Sequence, residues 1–474
     1  MTSGGRPPSQ AADAVERAFD RATGSRPIPG NAVSLLFDGP AAFEAMLAII
    51  AGAERWIHFD NYIFRSDLIG IRFAEALGER ARAGVAVRVS VDWLGSFSTK
   101  QRLWRMLESS GVSLQFFHRP GFLDLPSFLS RNHRKLVVVD GRRAVIGGIC
   151  IGDEWSGDPA RGRLPWRDTA VAIDGPAAAA LDRAFARAWV IGAGRPLPDD
   201  EFASEVEEAG SAFVRVLAGE PEAERAYRVS ELLLATAADR VWVTDAYLVA
   251  PRRLYRYLVD AAREGVDVRL LVPGTSDLPA VRNLTRFGYR NLIQAGVRIY
   301  EWGGPMLHAK TVVADGRWVR IGSSNLNHSS LVSNYELDVL VDAPKLAEQM
   351  EQQFRRDIDR SAEVTTRPNR APGRLGAVLP PALTIPPTGS ARVAHTRGVR
   401  ERRGRSVLAM RTLVAGARLA LYGPLSIGLA VGGILFILFP KPMAITFGSV
   451  SIWLAIMAGA EAVRRRRDRA DLAG

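Results

Sequence analysis

With 474 residues, 47% of them hydrophobic, the chain is long and apolar enough for two or three domains and a large buried core. Its single cysteine excludes an intramolecular disulfide framework and fits a reducing compartment. The net charge of +12 is confined to residues 361–474, where 17 Lys and Arg face 5 Asp and Glu, whereas residues 1–360 contain 45 of each. This distribution favours a membrane over nucleic acid, because a neutral body lacks the charge that phosphate-backbone binding usually needs.

The first segment, residues 1–30, is polar and carries Pro, Gly and Ala without an apolar stretch. It shows no signal-peptide pattern, and we expect it to be mobile. Residues 31–210 and 211–360 then read as two copies of one plan.

The duplication is visible in matched segments. Glu54–Tyr62 parallels Asp239–Tyr247, and Arg82–Val89 parallels Arg263–Leu270. Each copy reads as a strand, an amphipathic helix ending at a glycine, a strand, a helix and two further strands. This alternation predicts an α/β fold with a mixed sheet in each of two lobes. Two such lobes, packed face to face about a pseudo-two-fold axis, would share one active site.

The strongest chemical signal is a motif that occurs once in each copy. His133–Asp140 and His308–Asp315 both read His-x-Lys-x4-Asp, 175 positions apart. Histidine can act as nucleophile or general acid near neutral pH, and lysine supplies a fixed positive charge for phosphate. Strand alternation would place His and Lys of each motif on one face. The alternative is two buried strands that happen to carry polar residues.

The segments after the two motifs differ in their hydrogen-bond donors. The second copy continues to Gly322 followed by Ser323, Ser324 and Asn325, whereas the first has Gly148-Ile149-Cys150. Hydroxyl and amide groups beside a His/Lys pair are suitable donors to phosphoryl oxygens. We interpret Cys150 as a small packed side chain rather than a nucleophile, since no acyl-transfer pattern surrounds it.

The C-terminal part predicts a membrane anchor. A basic, Pro/Arg-rich linker over 361–411 precedes the uncharged runs Leu419–Phe439 and Met443–Ala460. The first run is long enough to cross a bilayer and the second, at 18 residues, is near the lower limit, so we expect a transmembrane helical hairpin over 412–463 and a basic cytoplasmic tail over 464–474. Arginines on both flanks would keep both ends in the cytoplasm. The alternative is a pair of buried helices in a soluble domain.

The doubled His-x-Lys-x4-Asp-x6-Gly-Ser-x-Asn pattern resembles the phospholipase D superfamily. Several further segments look like its bacterial cardiolipin synthase branch: Asn132–Lys135, Gly147–Glu154, Trp166–Asp168, Ile173–Pro176, Tyr300–Trp302, Met306–Lys310 and Asn334–Leu337. The resemblance covers roughly residues 30 to 355. It departs at Cys150, where the family usually has Asn. It implies two homologous phospholipase D-type α/β lobes and one shared site, and we expect neither a metal nor another cofactor.

The two histidines need opposite protonation states, one to attack phosphorus and one to protonate the leaving oxygen. By resemblance His133 is the nucleophile and His308 the acid/base, although the residues themselves do not order them. The candidates for phosphate binding are Lys135, Lys310, Ser323 and Asn325. The candidates for orienting the imidazoles are Glu336 and Asp168, and those for stabilising the histidine-bearing loops are Asp140 and Asp315. For Glu336 and Asp168 a purely structural role is the alternative.

The acceptor alcohol decides the reaction. The synthase branch implies transfer between two phosphatidylglycerol molecules through a phosphohistidine, giving cardiolipin and glycerol. Water as acceptor would make the chain a phospholipase D hydrolase, and a superfamily nuclease or a non-catalytic membrane scaffold are further alternatives. We expect phospholipid substrates and a membrane as partners, with no nucleic acid. The expected location is the bacterial inner (cytoplasmic) membrane, with the catalytic lobes facing the cytoplasm. Use of phosphatidylethanolamine and the oligomeric state stay open.

Overall fold

The computed structural model describes residues 10–118, 130–221 and 223–365. The predicted linker, hairpin and basic tail therefore lie outside the described residues, apart from the first five positions of the linker. Within the described ranges, no helix combines the length and the apolar character that crossing a bilayer requires.

The N-terminal segment is not mobile throughout. Residues Gln10–Thr23 form helix α1, which places the fully buried Phe19 against Trp318 with ring centroids 5.0 Å apart. Glu16 and Asp20 both accept from the buried guanidinium of Arg215, at 2.7 and 2.8 Å. The expectation of a mobile segment over residues 1–30 is wrong for this helix, because its apolar face covers the second half of the molecule.

The first half alternates strands and helices as its sequence pattern predicts. Its elements are β1 (Ile28–Phe37), α2 (Asp38–Ala51), β2 (Trp56–Asn61), α3 (Leu68–Arg82), β3 (Ala86–Asp92), α4 (Gln101–Ser109), β4 (Ser113–Phe117), β5 (Lys135–Val139), β6 (Arg143–Gly147), α5 (Asp153–Ser156), β7 (Thr169–Asp174) and α6 (Pro176–Ile191), with 3-10 turns at Pro159–Arg161 and Asp199–Glu201.

The second half repeats the plan. Its elements are β8 (Ala212–Gly219), α7 (Arg225–Thr236), β9 (Arg240–Thr244), α8 (Arg252–Arg263), β10 (Asp267–Pro273), α9 (Pro279–Phe287), α10 (Tyr289–Gln294), β11 (Arg298–Trp302), β12 (Thr311–Ala314), β13 (Trp318–Gly322), a π-helical turn (Ser329–Ser333), β14 (Glu336–Asp342), α11 (Pro344–Ile358) and β15 (Ser361–Glu363).

The strand order makes the internal symmetry explicit. It runs β4-β3-β2-β5-β6-β7-β1 and continues as β8-β14-β13-β12-β9-β10-β11-β15. In each half three strands are parallel and the rest antiparallel. The halves join where β1 pairs with β8 at Ile28–Val214 and Asn31–Ala212. The predicted mixed α/β fold is confirmed.

The hydrophobic core has three layers. The outer layers lie under α2, α3 and α4 in the first half and under α1, α7 and α8 in the second. The central layer draws on both halves, with Ile146 and Val171 in one cluster with Ile321 and Val339. Covered on both faces, the motif strands are almost continuously apolar, as in the fully buried β5.

The direction of the strands determines the edge of the sheet at which the two motif strands begin. Asn61 at the end of β2 pairs with Lys135 at the start of β5, and Thr244 at the end of β9 pairs with Thr311 at the start of β12. The carboxyl ends of the parallel strands therefore share an edge with the beginnings of the motif strands. Both His/Lys pairs lie at this edge.

Candidate active site

The two motifs meet the opposite half through their main chains. The amide of His133 donates to the carbonyl of Tyr335 at 2.8 Å, and the amide of His308 donates to the carbonyl of Arg167 at 2.7 Å. Each motif therefore runs beside a segment from the other half. The residue after each accepting carbonyl is an acid, so this pairing brings a carboxylate to each histidine.

Each histidine is oriented by a carboxylate from the opposite half. The Nδ1 atom of His133 lies 3.0 Å from Oε2 of Glu336 and 3.1 Å from the carbonyl oxygen of Ser323. The Nδ1 atom of His308 lies 2.7 Å from Oδ2 of Asp168. Both carboxylates are buried. The two His–carboxylate pairs thus cross between the halves, and neither half holds a complete pair of its own.

These contacts fix the tautomer of both rings. The partners of His133 Nδ1 are a carboxylate and a carbonyl oxygen, which accept hydrogen bonds. Nδ1 must therefore carry the proton, and the same argument holds for His308 beside its carboxylate. In the neutral imidazole this leaves the Nε2 lone pair for chemistry. A ring with Nδ1 tied to a carboxylate is suited to nucleophilic attack or to proton transfer through Nε2.

A motif lysine and a tyrosine complete each half of the site. Lys135 Nζ donates to the carbonyl oxygen of its own histidine at 2.5 Å, and Lys310 makes the equivalent bond. The Tyr62 ring centroid lies 4.8 Å from that of the first histidine, and Tyr247 lies 6.1 Å from the second. The ammonium groups lie 5.2 and 5.9 Å from these tyrosine rings. Both lysines are buried, which strengthens their field at the site.

Burial lowers the pKa of both histidines. For His133, the charge of Glu336 opposes this shift, and Lys135 and then Lys310 add to it. For His308, burial and Lys310 lower the pKa, its carboxylate partner opposes them, and Lys135 lowers it further. Each imidazole thus feels the lysine of the opposite half. This mutual influence supports a single site in which the free enzyme holds both rings neutral.

The carboxylates respond to the same charges. Burial raises the pKa of Asp168, but His308 and Lys310 outweigh it and hold the pKa below the usual range. Burial also raises that of Glu336, and His133 with Lys135 brings it down. Both groups are therefore ionised at neutral pH. Burial lowers the pKa of Lys310 to about 8.

The two carboxylates are held by different donors. Ser323 Oγ donates to Oε2 of Glu336 at 2.5 Å, whereas Trp155 Nε1 donates to Oδ2 of Asp168 at 2.9 Å. Gly148 occupies the position equivalent to Ser323, and a Cβ there would lie 2.2 Å from Oδ1 of Asp168. The first half has no room for the serine, and an indole replaces its hydroxyl. The site is symmetric in its histidines and lysines but not in its supporting donors.

The Asn325 and Cys150 positions are both buried. The amide Nδ2 of Asn325 lies 3.4 Å from Ser330 Oγ, and its Oδ1 is buried without a hydrogen-bond partner. Burial raises the pKa of the Cys150 thiol, which keeps it protonated and poorly nucleophilic. The donor set therefore differs between the halves.

Asp140 and Asp315 do not support the histidine-bearing loops. Asp140 accepts from the amides of residues 54–56 at 2.8–2.9 Å, and Asp315 accepts from those of residues 238–240 at 2.9 Å. Both have positive φ, 53° and 50°. They lie at the far end of β5 and β12, about 17 Å along the strand from Lys135 in the first half. The expectation that they stabilise the loops presenting the histidines is wrong, because they cap the turns before β2 and β9.

Two arginines that the sequence reading did not single out join the halves. Arg134 donates to the carbonyl oxygens of Ala184, Gly219 and Glu336 at 3.0–3.2 Å. Arg167 contacts both oxygens of Asp357, at 2.9 and 3.1 Å. Both guanidinium groups are buried. Their position inside the motif segments Asn132–Lys135 and Trp166–Asp168 was the available signal.

Two buried acids behind the site were also missed. Burial raises the pKa of Asp60 to about 7 and that of Asp245 to about 6. Asp60 accepts from Asn132 Nδ2 at 2.7 Å, and Asp245 accepts from the amide of Leu326 at 2.7 Å. Their equivalent positions in the duplicated segments could have identified them. Over the described parts of the chain, no group of three or more His, Cys, Asp or Glu residues is arranged to hold a metal ion.

Comparison with known proteins finds related sequences and folds. A family model described as "Cardiolipin synthase, PLD-like domain" matches residues 232–358. Cardiolipin synthase A of Pseudomonas entomophila (strain L48) is 34% identical over 351 residues, covering 73% of each chain. Cardiolipin synthase A of Pseudomonas aeruginosa (strain LESB58) is 33% identical over 361 residues, covering 76% of this chain and 73% of the relative.

A solved structure supports the fold alone. The crystal structure of phosphatidylserine synthase from Haemophilus influenzae Rd KW20 superposes with a TM-score of 0.59 at 15% identity, covering 74% of this chain and 92% of that one. The extent and identity of the two synthase matches assign the family. The chain therefore belongs to the cardiolipin synthase branch of the phospholipase D-like proteins.

Proposed function

We propose that the chain is a phosphatidyltransferase that converts two phosphatidylglycerol molecules into cardiolipin and glycerol. The observation that carries this proposal is the crossed pair of His–carboxylate contacts, which leaves two Nε2 atoms and two buried lysines in one site. A phosphodiester is a negatively charged centre with a poor leaving group, and this arrangement suits both properties.

In the first step, the neutral Nε2 of His133 attacks phosphorus of the donor phosphatidylglycerol. The bond from phosphorus to the headgroup oxygen breaks, and His308, protonated on Nε2, gives its proton to that oxygen. Glycerol leaves, and a phosphatidyl-His133 adduct remains. Glu336 stabilises the positive charge that develops on the attacking ring, at 3.0 Å from its Nδ1. Lys135 and Lys310 stabilise the phosphoryl oxygens.

In the second step, His308 is neutral and acts as base. It takes the proton from the headgroup hydroxyl of the acceptor phosphatidylglycerol while that oxygen attacks phosphorus. The phosphorus–nitrogen bond to His133 breaks, cardiolipin forms, and His308 again carries a proton, which it keeps only while the anionic product is bound. Asp168, 2.7 Å from His308 Nδ1, favours the protonated ring after this transfer.

The protonation state of the free enzyme accounts for the order of events. Since burial and the lysines lower the pKa of His308, the ring needs the negative charge of the bound diester to gain its proton. Substrate binding and protonation of the general acid, His308, then occur together. This coupling would limit proton donation to the occupied site.

Purified full-length protein with phosphatidylglycerol as the only lipid tests the reaction. Mass analysis of the lipid extract should show cardiolipin and an equivalent amount of glycerol. Phosphatidic acid without cardiolipin would instead mean hydrolysis. Histidine-dependent cleavage of single-stranded or duplex DNA would support a nuclease and overturn the proposal.

Two matched variants test the roles. With phosphatidylglycerol labelled in its phosphate, His308→Gln should slow both formation and release of the adduct, so acid-labile label should accumulate slowly on the protein and then persist. His133→Gln should give no adduct. His328→Gln is a control, because this histidine lies outside both motifs. Label retained in His133→Gln and absent in His308→Gln would reverse the two roles.

We also propose that residues 412–463 anchor the enzyme as a hairpin with both ends in the cytoplasm. The supporting features are the uncharged runs Leu419–Phe439 and Met443–Ala460 and the arginines on both sides. Single cysteines introduced on either side of the hairpin, by Ser406→Cys and by Ala470→Cys, test this orientation. Neither should react with a membrane-impermeant maleimide in intact spheroplasts, and both should react after lysis. Labelling of either one before lysis would contradict the proposed orientation.

A further inference from the structure

Several large exposed apolar side chains follow the carboxyl ends of the parallel strands, where the active-site edge lies: Leu68 after β2, Phe97 after β3 and Leu278 after β10. Leu68 and Phe287 are each 78% exposed, and Leu164 and Leu284 are exposed as well. The set is Leu68, Phe97, Leu164, Leu278, Leu284 and Phe287, and we call it the apolar rim. Large apolar groups gathered in one region of a surface indicate an interaction site rather than random exposure.

In the second half, hydrogen bonds tie the rim to the active site. Leu278 follows Asp277, whose carboxylate accepts from Tyr247 Oη at 2.8 and 3.0 Å. The Tyr247 ring centroid is 6.1 Å from that of His308. Tyr247 thus connects the start of α9 to the His308 imidazole, through its hydrogen bond to Asp277 and its ring contact.

The first half repeats this connection. Leu164 lies two residues before Trp166, whose ring centroid is 5.8 Å from that of His308. A cavity of about 1120 Å³ is lined by Leu68, Leu164 and Trp166 among other residues. The apolar rim therefore adjoins a cavity that ends near the site, and the acids Asp67, Asp153, Glu154 and Asp158 belong to the same lining.

The opposite end of the strands provides a contrast. Phe213 is also exposed, but it pairs with Asp342, whereas Glu336 pairs with Gly219 on the same two strands. Phe213 therefore lies about 20 Å along the strand from the site residue. It is a matched aromatic position away from the rim.

Helix α9 has the composition of an interfacial helix. None of its residues with a described side chain is buried, and Leu284 and Phe287 lie one turn apart. The arginines at intervals of four are Arg282 and Arg286 in α9 and Arg290 in α10, and residues 279–294 contain no acid. Arg286 is paired with Glu301 at 2.7 Å, and Arg290 is exposed. Apolar residues beside arginines suit an anionic lipid surface.

We propose that the apolar rim docks the catalytic unit on an anionic bilayer, with α9 lying in the headgroup region. The docked face is the edge at which the two histidines lie, so a phosphatidylglycerol headgroup reaches the site without the lipid leaving the bilayer. This inference rests on the proposed function for its substrate. It assigns a membrane contact to the catalytic unit, independent of any contact made by residues 366–474.

A local fluorescence measurement tests the docking. The native Cys150 is the sole cysteine and is buried, so Phe287→Cys and Phe213→Cys can each be labelled with an environment-sensitive dye in the full-length chain. On vesicles of phosphatidylglycerol with brominated acyl chains, the dye at 287 should be quenched about twofold or more relative to the dye at 213. Equal quenching at both positions overturns the proposal. If the dye at 287 responds without vesicles and the response grows with protein concentration, the rim contacts a second copy of the chain. This outcome also overturns the proposal.

An activity measurement separates docking from catalysis. Leu284→Glu with Phe287→Glu should lower turnover of phosphatidylglycerol in vesicles about tenfold or more, because charge replaces inserted apolar surface. Turnover of monomeric dihexanoyl phosphatidylglycerol should be unchanged. Phe213→Glu is the matched control and should change neither. Equal losses on both substrates overturn the docking role. If the unaltered enzyme processes neither lipid, the proposed function fails, while the quenching result still decides the docking.

Discussion

The Nδ1 atom of His133 lies 3.0 Å from the Oε2 atom of Glu336, which belongs to the other half of the duplicated chain. The reciprocal contact joins His308 to Asp168 at 2.7 Å. Each half thus contributes one histidine and the carboxylate that contacts the histidine of the other half. Loss of the interface between the halves would separate both pairs at once, so catalysis depends on their assembly.

Removing the charge of Glu336 should slow the reaction without unfolding the protein. Glu336→Gln keeps the side-chain shape, but the amide neither stabilises the developing imidazolium nor fixes the Nδ1–H tautomer. We expect kcat to fall by roughly 10²–10⁴. Initial rates of cardiolipin formation provide the measurement. Glu348→Gln, on the exposed face of α11, is the control, and a loss in Glu336→Gln no larger than in this control would contradict the orienting role.

Binding of an anionic diester should draw a proton into the site. Burial and the lysines lower the pKa of His308 in the free enzyme, so the ring is neutral at pH 7, and a bound phosphodiester anion raises its pKa. The affinity for the diester should therefore fall as the pH rises from the pKa of His308 in the free enzyme to its higher pKa in the complex. Below the pKa of the free enzyme the affinity should be constant. Glycerophosphoglycerol, whose single charge is constant near neutrality, is a suitable ligand.

Calorimetry in buffers of different ionisation enthalpy measures this uptake. We expect it to approach about one proton per site in the unaltered enzyme and to disappear in His308→Gln. If the heat of ligand binding is the same in every buffer, ligand binding does not protonate His308.

The sequence predicted the components of the site better than their pairing. The duplication, the two His/Lys motifs and the two acids could be read because each is a local pattern. Which histidine each acid contacts could not be read from the sequence, since it depends on how the two halves of the sheet pack across the central core layer. Glu336 is 28 positions from His308, yet it contacts His133. Sequence proximity was a poor guide to the contact.

Other features were hidden for similar reasons. Trp155 reads as one more aromatic residue, and its hydrogen bond to Asp168 follows from the lack of space at Gly148. The helix Gln10–Thr23 is polar overall, and only its tertiary contact shows that Phe19 is buried. The placement of Asp140 follows from strand length. A five-residue strand separates it from His133 by more than a side chain can reach.

The indole of Trp155 should position Asp168 and hence His308. Trp155→Phe keeps an aromatic ring at 5.3 Å from the His308 ring but removes the donor to Oδ2. We expect a roughly tenfold lower kcat, on the scale of one lost hydrogen bond to a charged group, and a shifted pH profile of kcat. Trp166→Phe also retains the ring packing against His308 and is the matched control. An equal change in both variants would assign the loss to packing rather than to the hydrogen bond.

Arg167 should contribute strongly to stability. Its guanidinium contacts Asp357 at 2.9 and 3.1 Å, and both groups are buried. Arg167→Met leaves a buried carboxylate without its partner, which costs about 3–5 kcal/mol in the free energy of unfolding. Urea denaturation followed by tryptophan fluorescence provides the measurement. Arg298→Met removes an exposed pair with Glu363 and should change it by less than about 1 kcal/mol. The double variant Arg167→Met with Asp357→Leu should recover part of the loss.

Asp140 should matter for folding and not for chemistry. Its carboxylate accepts from the amides of residues 54, 55 and 56 at 2.8–2.9 Å, at the end of β5 away from the histidines. Asp140→Ala removes these acceptors and places alanine at a positive φ of 53°, which should lower the free energy of unfolding by about 2–4 kcal/mol. Since no reacting group is touched, kcat measured well below the unfolding temperature should stay within about twofold of the unaltered enzyme. The exposed Asp174, changed to Ala, controls for loss of a surface acid. A large fall in kcat with unchanged stability would return Asp140 to the catalytic set.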